Sequence, residues 1–297
     1  MIQHLGKISS RLLIFGGPYS NLAATQAIYD KARELKITAD HVICTGDMVA
    51  YCGEPQQTVD LIHGSGIHVV KGNCEESLAT NQLDCGCGYE QGSACSTLSV
   101  AWYRFANQHI DMASREWMEQ LPDAITFSIR DYKFKVVHAS ASSINQFIFA
   151  STPAQVKSDQ IALSGADAVI GGHSGIPFGQ AVGAGLWLNA GVIGMPANDA
   201  SSDGWYMLLD PDQNQNGFEV SWHRLRYPAE ISQSTTREAG MEAYADALID
   251  GLWPALDILP AIEREQRGQR LKPSTISIEL DKWARWNPFK ASQGGLF

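Results

Sequence analysis

Short runs of β-branched and apolar residues recur along the chain, each roughly five residues long and closing on Gly or another small residue: HVICTGD, IHVVKGN, FKVVHAS and AVIGGH. Runs of that length bounded by turn formers predict strands that feed loops. Ahead of them, RLLIFGGPYSNLAATQAIYDKARELKI reads as strand, tight loop and helix, with Ser20 or Asn21 as N-cap and Leu22, Ile28 and Leu35 on an apolar face. PQQTVDLIHGSG predicts the next helix, with Pro55 in its first turn, so the fold opens with βα units. Residues 76–123 break that rhythm with a Cys- and Gly-rich stretch, LDCGCGYEQGSAC, followed by helical runs in STLSVAWYRFANQHI and SREWMEQL. From Ala124 the pattern turns to short strands: AITFSIR, YKFKVVHA and, after a helix near Pro153 to Leu163, DAVIGGH, AGLWLNAGVI, WYMLLD and FEVSWHRL. These predict a second sheet. Beyond residue 227 the chain reads as helical in REAGMEAYADALIDGLW and ends in DKWARWNPF. Trp253, Trp283, Trp286 and Phe289 are costly to leave in water, so this tail is expected to pack on the preceding domain or on another copy of the chain, forming a homo-oligomer.

Asp47, Asn73, His138 and His173 each stand just past one of the four strand runs. In open α/β sheets the crevice beyond the carboxyl ends of the strands is the usual site. An isolated His is more often a satisfied core residue, Asp a cap and Asn a turn former. Here a carboxylate, an amide oxygen and two imidazoles recur at equivalent strand ends, a donor set that suits Zn²⁺, Mn²⁺ or Fe²⁺ better than Ca²⁺. Cys85, Cys87 and Cys95 form a C-x-C-x₇-C group that matches no zinc-finger spacing. They are read as a cap loop near the site or as additional metal ligands.

At 297 residues the length allows two domains; the order of the runs favours one large domain, 1–227, with an insertion around 76–123 and an extension over 228–297. A net charge of -10 and a pI near 5.2 argue against a general hold on nucleic acid, which needs clustered Lys and Arg. The N-terminal apolar run is too short for a signal peptide and no run approaches membrane-spanning length. Six cysteines in such a chain are expected as reduced thiols, which points to the cytoplasm.

The blocks GDMVAYCGEP, GNCE, VVHAS, GGHSG and LNAGVIGMP, in that order over about residues 11 to 227, resemble those of the calcineurin-like metallophosphoesterases, in particular their small bacterial phosphatases and phosphodiesterases. The resemblance implies an α/β (α+β) fold: a four-layer α-β-β-α sandwich of two mixed sheets with the metal at one sheet edge and the helical tail outside it. It also implies hydrolysis of a small phosphorylated substrate. Asp47, Asn73, His138 and His173 match the ligands of one metal of the family. The other metal's ligands do not match: the Asp-x-His pair of the first loop is replaced by Gly17 and Tyr19, and the last His of Gly-His-x-His by Gly175. One cation per chain is therefore expected. Cys74 takes the place of the family His that protonates the leaving group, and Tyr19 that of a ligand, which makes both candidates for catalysis. Glu75 is expected to orient its neighbours.

Three readings compete. A metal-dependent phosphoester hydrolase with an incomplete or single-metal centre leads. The alternative is a non-catalytic relative that binds a nucleotide, metal or partner in the old crevice. A thiol-based sensor comes third.

Overall fold

The computed structural model describes residues 1–212 and 217–279. Its strands are β1 (Ile2–Lys7), β2 (Leu12–Phe15), β3 (Val42–Cys44), β4 (His68–Val69), β5 (Ala124–Ile129), β6 (Tyr132–Val137), β7 (Ala168–Gly171), β8 (Phe178–Val182), β9 (Gly185–Asn189), β10 (Gly204–Pro211), β11 (Gly217–Leu225) and β12 (Ser274–Glu279). The helices are α1 (Leu22–Glu34), α2 (Pro55–Ser65), α3 (Asn73–Ala79), α4 (Ala94–His109), α5 (Met112–Gln120), α6 (Ala154–Ser164), α7 (Ala229–Glu238), α8 (Glu242–Asp250) and α9 (Ala261–Glu265). The strands form two six-stranded mixed sheets, ordered β12-β11-β10-β2-β3-β4 and β1-β5-β6-β7-β9-β8.

Strand alternation explains the layers. Leu12 and Ile14 of β2 and Ile43 of β3 enter the core between the sheets, whereas Leu13, Phe15, Val42 and Cys44 face the helices outside. β7 and β9 repeat the device in the other sheet: Ala168, Ile170, Leu186 and Leu188 point inward, and Val169 and Trp187 pack outward with Ile161 of α6. A strand covered on both faces reads as a continuous apolar run rather than an alternating one. Each fully buried Leu or Ile contributes roughly 1.5–3 kcal/mol, so these two-faced strands anchor the fold. Asn21 caps α1, its side-chain oxygen accepting from the Ala24 amide at 2.9 Å, and Pro55 opens α2.

The four-layer sandwich expected from the sequence is the observed architecture. Three strands were not anticipated. β1 is a largely exposed strand paired parallel with β5, and β8 pairs antiparallel with β9. The third, β12, lies in the C-terminal segment, which is therefore not helical throughout: it adds an edge to the first sheet beside β11. Trp283, Trp286 and Phe289 lie outside the described residues. Among the described residues, no helix is long and apolar enough to cross a membrane.

Candidate metal centre

The four polar residues singled out above converge where the ends of β3 and β4, from one sheet, meet those of β6 and β7, from the other. His138 Nε2 lies 3.0 Å from Asn73 Oδ1, 3.1 Å from His173 Nδ1 and 3.2 Å from Asp47 Oδ2, and His173 Nδ1 is 3.9 Å from the same carboxylate oxygen. All four side chains are buried. Asp47 and His173 reach this point from left-handed backbone, with φ of 57° and 39°. For non-Gly residues such conformations cost of order 1–3 kcal/mol and persist only where the surroundings enforce them, as they do at functional sites.

Neighbouring groups set the direction of three of the four donors, while Nε2 of His173 is buried without a hydrogen-bond partner. The Nδ1–H of His138 donates to the Thr45 carbonyl at 2.7 Å, which leaves Nε2 bare and facing the centre. Asn73 Nδ2 donates to the Cys85 carbonyl at 2.8 Å, which turns the amide oxygen inward. The Cys74 amide donates to Asp47 Oδ1 at 3.2 Å, and Glu75 clamps two loops together by accepting from the amides of Asp47, Met48 and Gly72 at 2.7, 2.8 and 2.9 Å. Lone pairs of four residues thus face one another across distances that only a shared proton or a cation can bridge.

Electrostatics agree with this reading. Burial opposes ionisation of Asp47, but the charge and hydrogen bond of His138 outweigh it and hold the carboxyl well below its usual range. Burial likewise lowers the His138 pKa, and Asp47 more than restores it, so the imidazole is raised. His173 is lowered, mainly by burial. Glu75 is pushed up to about 7 by burial and then by Asp47. A strong buried pull toward positive charge, ringed by Asp, Asn and two His, is the chemistry of a transition-metal site, and the residues fit such an ion. Among the described residues Asp47, His138 and His173 are the group of His, Cys, Asp or Glu ligand atoms close enough to hold one, all within 4.8 Å of each other.

The space beside Asp47 on the side of the first loop is lined by rings. A Cβ on Gly17 would collide with the Tyr19 ring and come within 2.7 Å of Val192, and one on Gly175 would lie 3.2 Å from the Trp253 ring. Both glycines have positive φ, of 39° and 74°. Tyr19 is buried and stacks edge-on against Tyr51, with centroids 4.7 Å apart; Tyr51 in turn stacks on Tyr244 and hydrogen-bonds Tyr89 at 2.9 Å. Burial, then Asp47, raises the Tyr19 pKa well above that of free phenol, so it stands as a neutral phenol rather than a phenolate. Together with Phe147, whose ring is 4.3 Å from that of His173, these rings wall a cavity that reaches Asp47 and His173.

The cysteines divide. Cys87 and Cys95 line the cavity, whereas Cys74 is buried beside it, off the lining, with its thiol pKa raised by burial, Asp47 and Glu75. Cys85 and Cys87 form a disulfide, with Cα atoms 5.3 Å apart, which corrects the expectation of six reduced thiols. Four cysteines are free: Cys44, Cys52, Cys74 and Cys95. Gly86, at φ 64°, folds the loop back so that the two sulfurs meet, and its bare Cα passes Ser77 where a Cβ would come within 2.7 Å of the hydroxyl. In this oxidised state neither sulfur is a thiolate ligand, and the cysteine count no longer argues for a reducing compartment. The walls contributed by Tyr51, Tyr89, Phe147, Tyr244 and Trp253 were missed as site residues; the one signal was the cost of exposing Trp253, which pointed to packing and not to a cavity.

A family model described as the calcineurin-like phosphoesterase superfamily domain matches residues 12–214. Among solved structures, a metallophosphoesterase from Sphaerobacter thermophilus is 21% identical, with a TM-score of 0.63, the match covering 82% of this chain and 100% of that one. A hypothetical protein from Pyrococcus horikoshii is 15% identical, with a TM-score of 0.66, covering 85% of this chain and 100% of that one. At these identities the likeness is one of fold. No curated protein matches the sequence. With two thirds of its length matched by the family model and two packed mixed sheets meeting at a buried Asp-Asn-His-His cluster, the chain belongs to the calcineurin-like phosphoesterase superfamily, whose members are metal-dependent phosphoester hydrolases.

Proposed function

We propose that this protein hydrolyses a phosphoester, as a phosphatase or phosphodiesterase, with one divalent transition metal (Zn, Mn or Fe) held by Asp47, Asn73, His138 and His173, and that its substrate is a small phosphorylated molecule. The observation that carries this is the convergence of those four side chains, with His138 Nε2 within 3.2 Å of an oxygen or nitrogen on each of the other three. When bound, such a metal polarises a phosphoryl oxygen and lowers the pKa of a water.

The chain's own residues do the rest. Thr45, through its carbonyl, and Glu75, through three amides, keep the donors aimed before any ligand arrives, so no reorganisation is needed at the moment of reaction. Tyr19 presents a neutral phenol on the cavity wall, a hydrogen-bond donor for a phosphoryl oxygen. Cys74, off the lining and with a raised thiol pKa, is placed less well to protonate a leaving group than its position in the sequence implied. The aromatic walls exclude water from the reacting group.

The test is metal analysis of the purified protein together with turnover of a panel of phosphomonoesters and phosphodiesters, before and after a chelator. About one transition metal per chain and turnover that the chelator abolishes and metal restores support the proposal. A second reading is favoured by the rings that line the space beside Asp47 on the side of the first loop: a non-catalytic member that binds a ligand in the same crevice. Protein that holds its metal yet turns over nothing in the panel selects that reading.

A further inference from the structure

The metal centre is closed: Asp47, Asn73, His138 and His173 are all buried, and the cavity that reaches two of them encloses about 60 Å³. A ligand or a metal ion enters only if a wall moves. Part of the wall is core, since Tyr19, Tyr51 and Tyr244 contact one another in series and pack in the same apolar cluster. Another part is the segment between α8 and α9, which brings Trp253, Pro254, Ala255 and Ile258 to the cavity. Within residues 252–267 only Leu259 and Glu263 are buried. A stretch that buries so little apolar surface belongs to the low-stability end of a fold, from which moving parts are drawn.

The segment leaves and rejoins the body at Gly251 and Gly268, with φ of 72° and 77°. Both ends are tied to one loop: the Ala200 amide donates to the Gly251 carbonyl at 3.1 Å, and the Gly268 amide to the Asn198 carbonyl at 2.9 Å. A surface loop whose ends lie close together is an Ω-loop. Trp253 stays with its root, the amide on Asn198 Oδ1 at 2.9 Å and the indole N–H on the Pro196 carbonyl at 2.7 Å. Beyond it, Arg264 donates to the carbonyls of Leu259 and Asp257 at 2.7 and 3.1 Å and holds the tip together. Two carboxylates fasten that tip to walls from elsewhere in the chain. Asp257 Oδ2 accepts from the Cys95 amide at 3.1 Å, in the first turn of α4. Buried Glu263 accepts from the Ser151 amide at 2.9 Å and its hydroxyl at 2.5 Å, on the loop that carries Phe147 beside His173. Lys157, buried against the same loop, donates to the Phe149 and Ala150 carbonyls at 3.4 and 2.8 Å and backs that attachment. We infer that residues 254–267 form a lid over the metal centre, hinged at Gly251 and Gly268 and latched by Asp257 and Glu263, whose opening admits ligand and metal. The lid serves the cavity whether or not the ligand is an ester.

Cys95 is the reporter, because it is a free, buried cysteine on the cavity wall with its amide held by the lid. Alkylation of the full-length protein with N-ethylmaleimide, followed by peptide mass spectrometry, gives a rate at each free cysteine. Cys44 and Cys52, buried in the apolar core, report unfolding. Glu263 hydrogen-bonds Ser151 and not Cys95, so its substitution reaches Cys95 through motion of the segment. Glu263→Ala should speed alkylation of Cys95 about tenfold, the effect of losing roughly one hydrogen bond to a charged group, with Cys44 and Cys52 unchanged. Glu263→Gln, which keeps an acceptor oxygen, and Ser151→Ala, which removes one of the two donors, should each give a smaller rise. Loss of Zn²⁺ to excess chelator should quicken by a similar factor in Glu263→Ala while the equilibrium affinity stays within about twofold, because the latch touches none of the metal's donors. An unchanged Cys95 rate overturns the inference, and so does a parallel rise at Cys44 and Cys52, which would make the latch a support of the whole fold. Faster alkylation of Cys95 with unchanged Zn²⁺ release also overturns it, since the loop would then move without gating the centre. If Glu263→Ala does not fold, Ser151→Ala decides by the same outcomes. Protein that holds no Zn²⁺ refutes the proposed metal centre and leaves the lid to be decided by the Cys95 rates.

Discussion

The two sides of the Asp47 carboxylate have opposite linings. On the side of His138, four donors are present and buried, and three are aimed by a named partner: Thr45 for His138, Cys85 for Asn73, the Cys74 amide for Asp47. On the side of the first loop, Gly17, Tyr19 and Gly175 stand where donors would be, and the rings of Tyr19 and Trp253 occupy the space. The difference teaches that polar donors and rings can be segregated to opposite sides of one carboxylate. A buried polar donor without its cation costs on the order of 1–3 kcal/mol, so a half-dismantled set is worse than none. Rings in the same volume restore apolar burial.

The comparison breaks most readily at the intact side. His138→Ala and His173→Ala should each weaken metal binding by at least about 100-fold, more than the ten- to hundredfold typical of outer partners, because each removes a donor outright. Dialysis against a graded chelator followed by metal analysis measures it, and wild-type metal retention in both variants would mean that the cluster is a buried ion pair and nothing more. Next in size is Glu75→Ala, which strands three buried amides and should lower stability by about 3 kcal/mol in urea unfolding. Glu75→Gln keeps one acceptor oxygen and should lose less. Equal, small losses in both would show that the clamp is not what holds the Asp47 and Gly72 loops together.

The refilled side can be probed by reversal. Gly175→His places a Cβ at φ 74° and 3.2 Å from the Trp253 ring, and should cost about 2 kcal/mol, part backbone strain and part contact. Adding Trp253→Ala should return the contact part, so a double-mutant cycle with no coupling would contradict the packing seen here. With Gly17→Asp and Tyr19→His added as well, the chain should take up a second metal; the same changes with Trp253 retained should not. The smallest expected effect is that of Cys87→Ser. Asn73 keeps its bond to the Cys85 carbonyl but loses a weak sulfur acceptor at 3.3 Å, and metal affinity should fall by only about threefold, less than 1 kcal/mol. A larger loss would give the disulfide loop a part in holding Asn73 that its hydrogen bonds do not account for.

Much of this was legible along the chain. Strands covered on both faces announce themselves as unbroken apolar runs, so β2, β3, β7, β9 and β10 were found; β6 and β11 showed as alternating runs, and Asp47, Asn73, His138 and His173 could be placed at strand ends and brought together. The edge strands β1, β8 and β12 were not found, because an exposed or half-exposed strand such as IQHLGK or STISIE carries polar residues on its open face and no run to recognise. Residue types alone also gave the wrong redox state for Cys85 and Cys87, since spacing counts residues and not the turn that Gly86 makes between them.

The sequence by itself determined the strand runs and placed Asp47, Asn73, His138 and His173 at their ends, because these rest on local periodicity and on the chemistry of single residues; the four-layer sandwich came from the family resemblance. Only the tertiary structure decided what lines the space beside Asp47 on the side of the first loop. Tyr19, Tyr51, Phe147, Tyr244 and Trp253 come from five separate segments, and an aromatic residue reads along the chain simply as something to be buried. Whether it is buried in a core or against a cavity depends on which distant segments the fold sets beside it, and no local pattern encodes that.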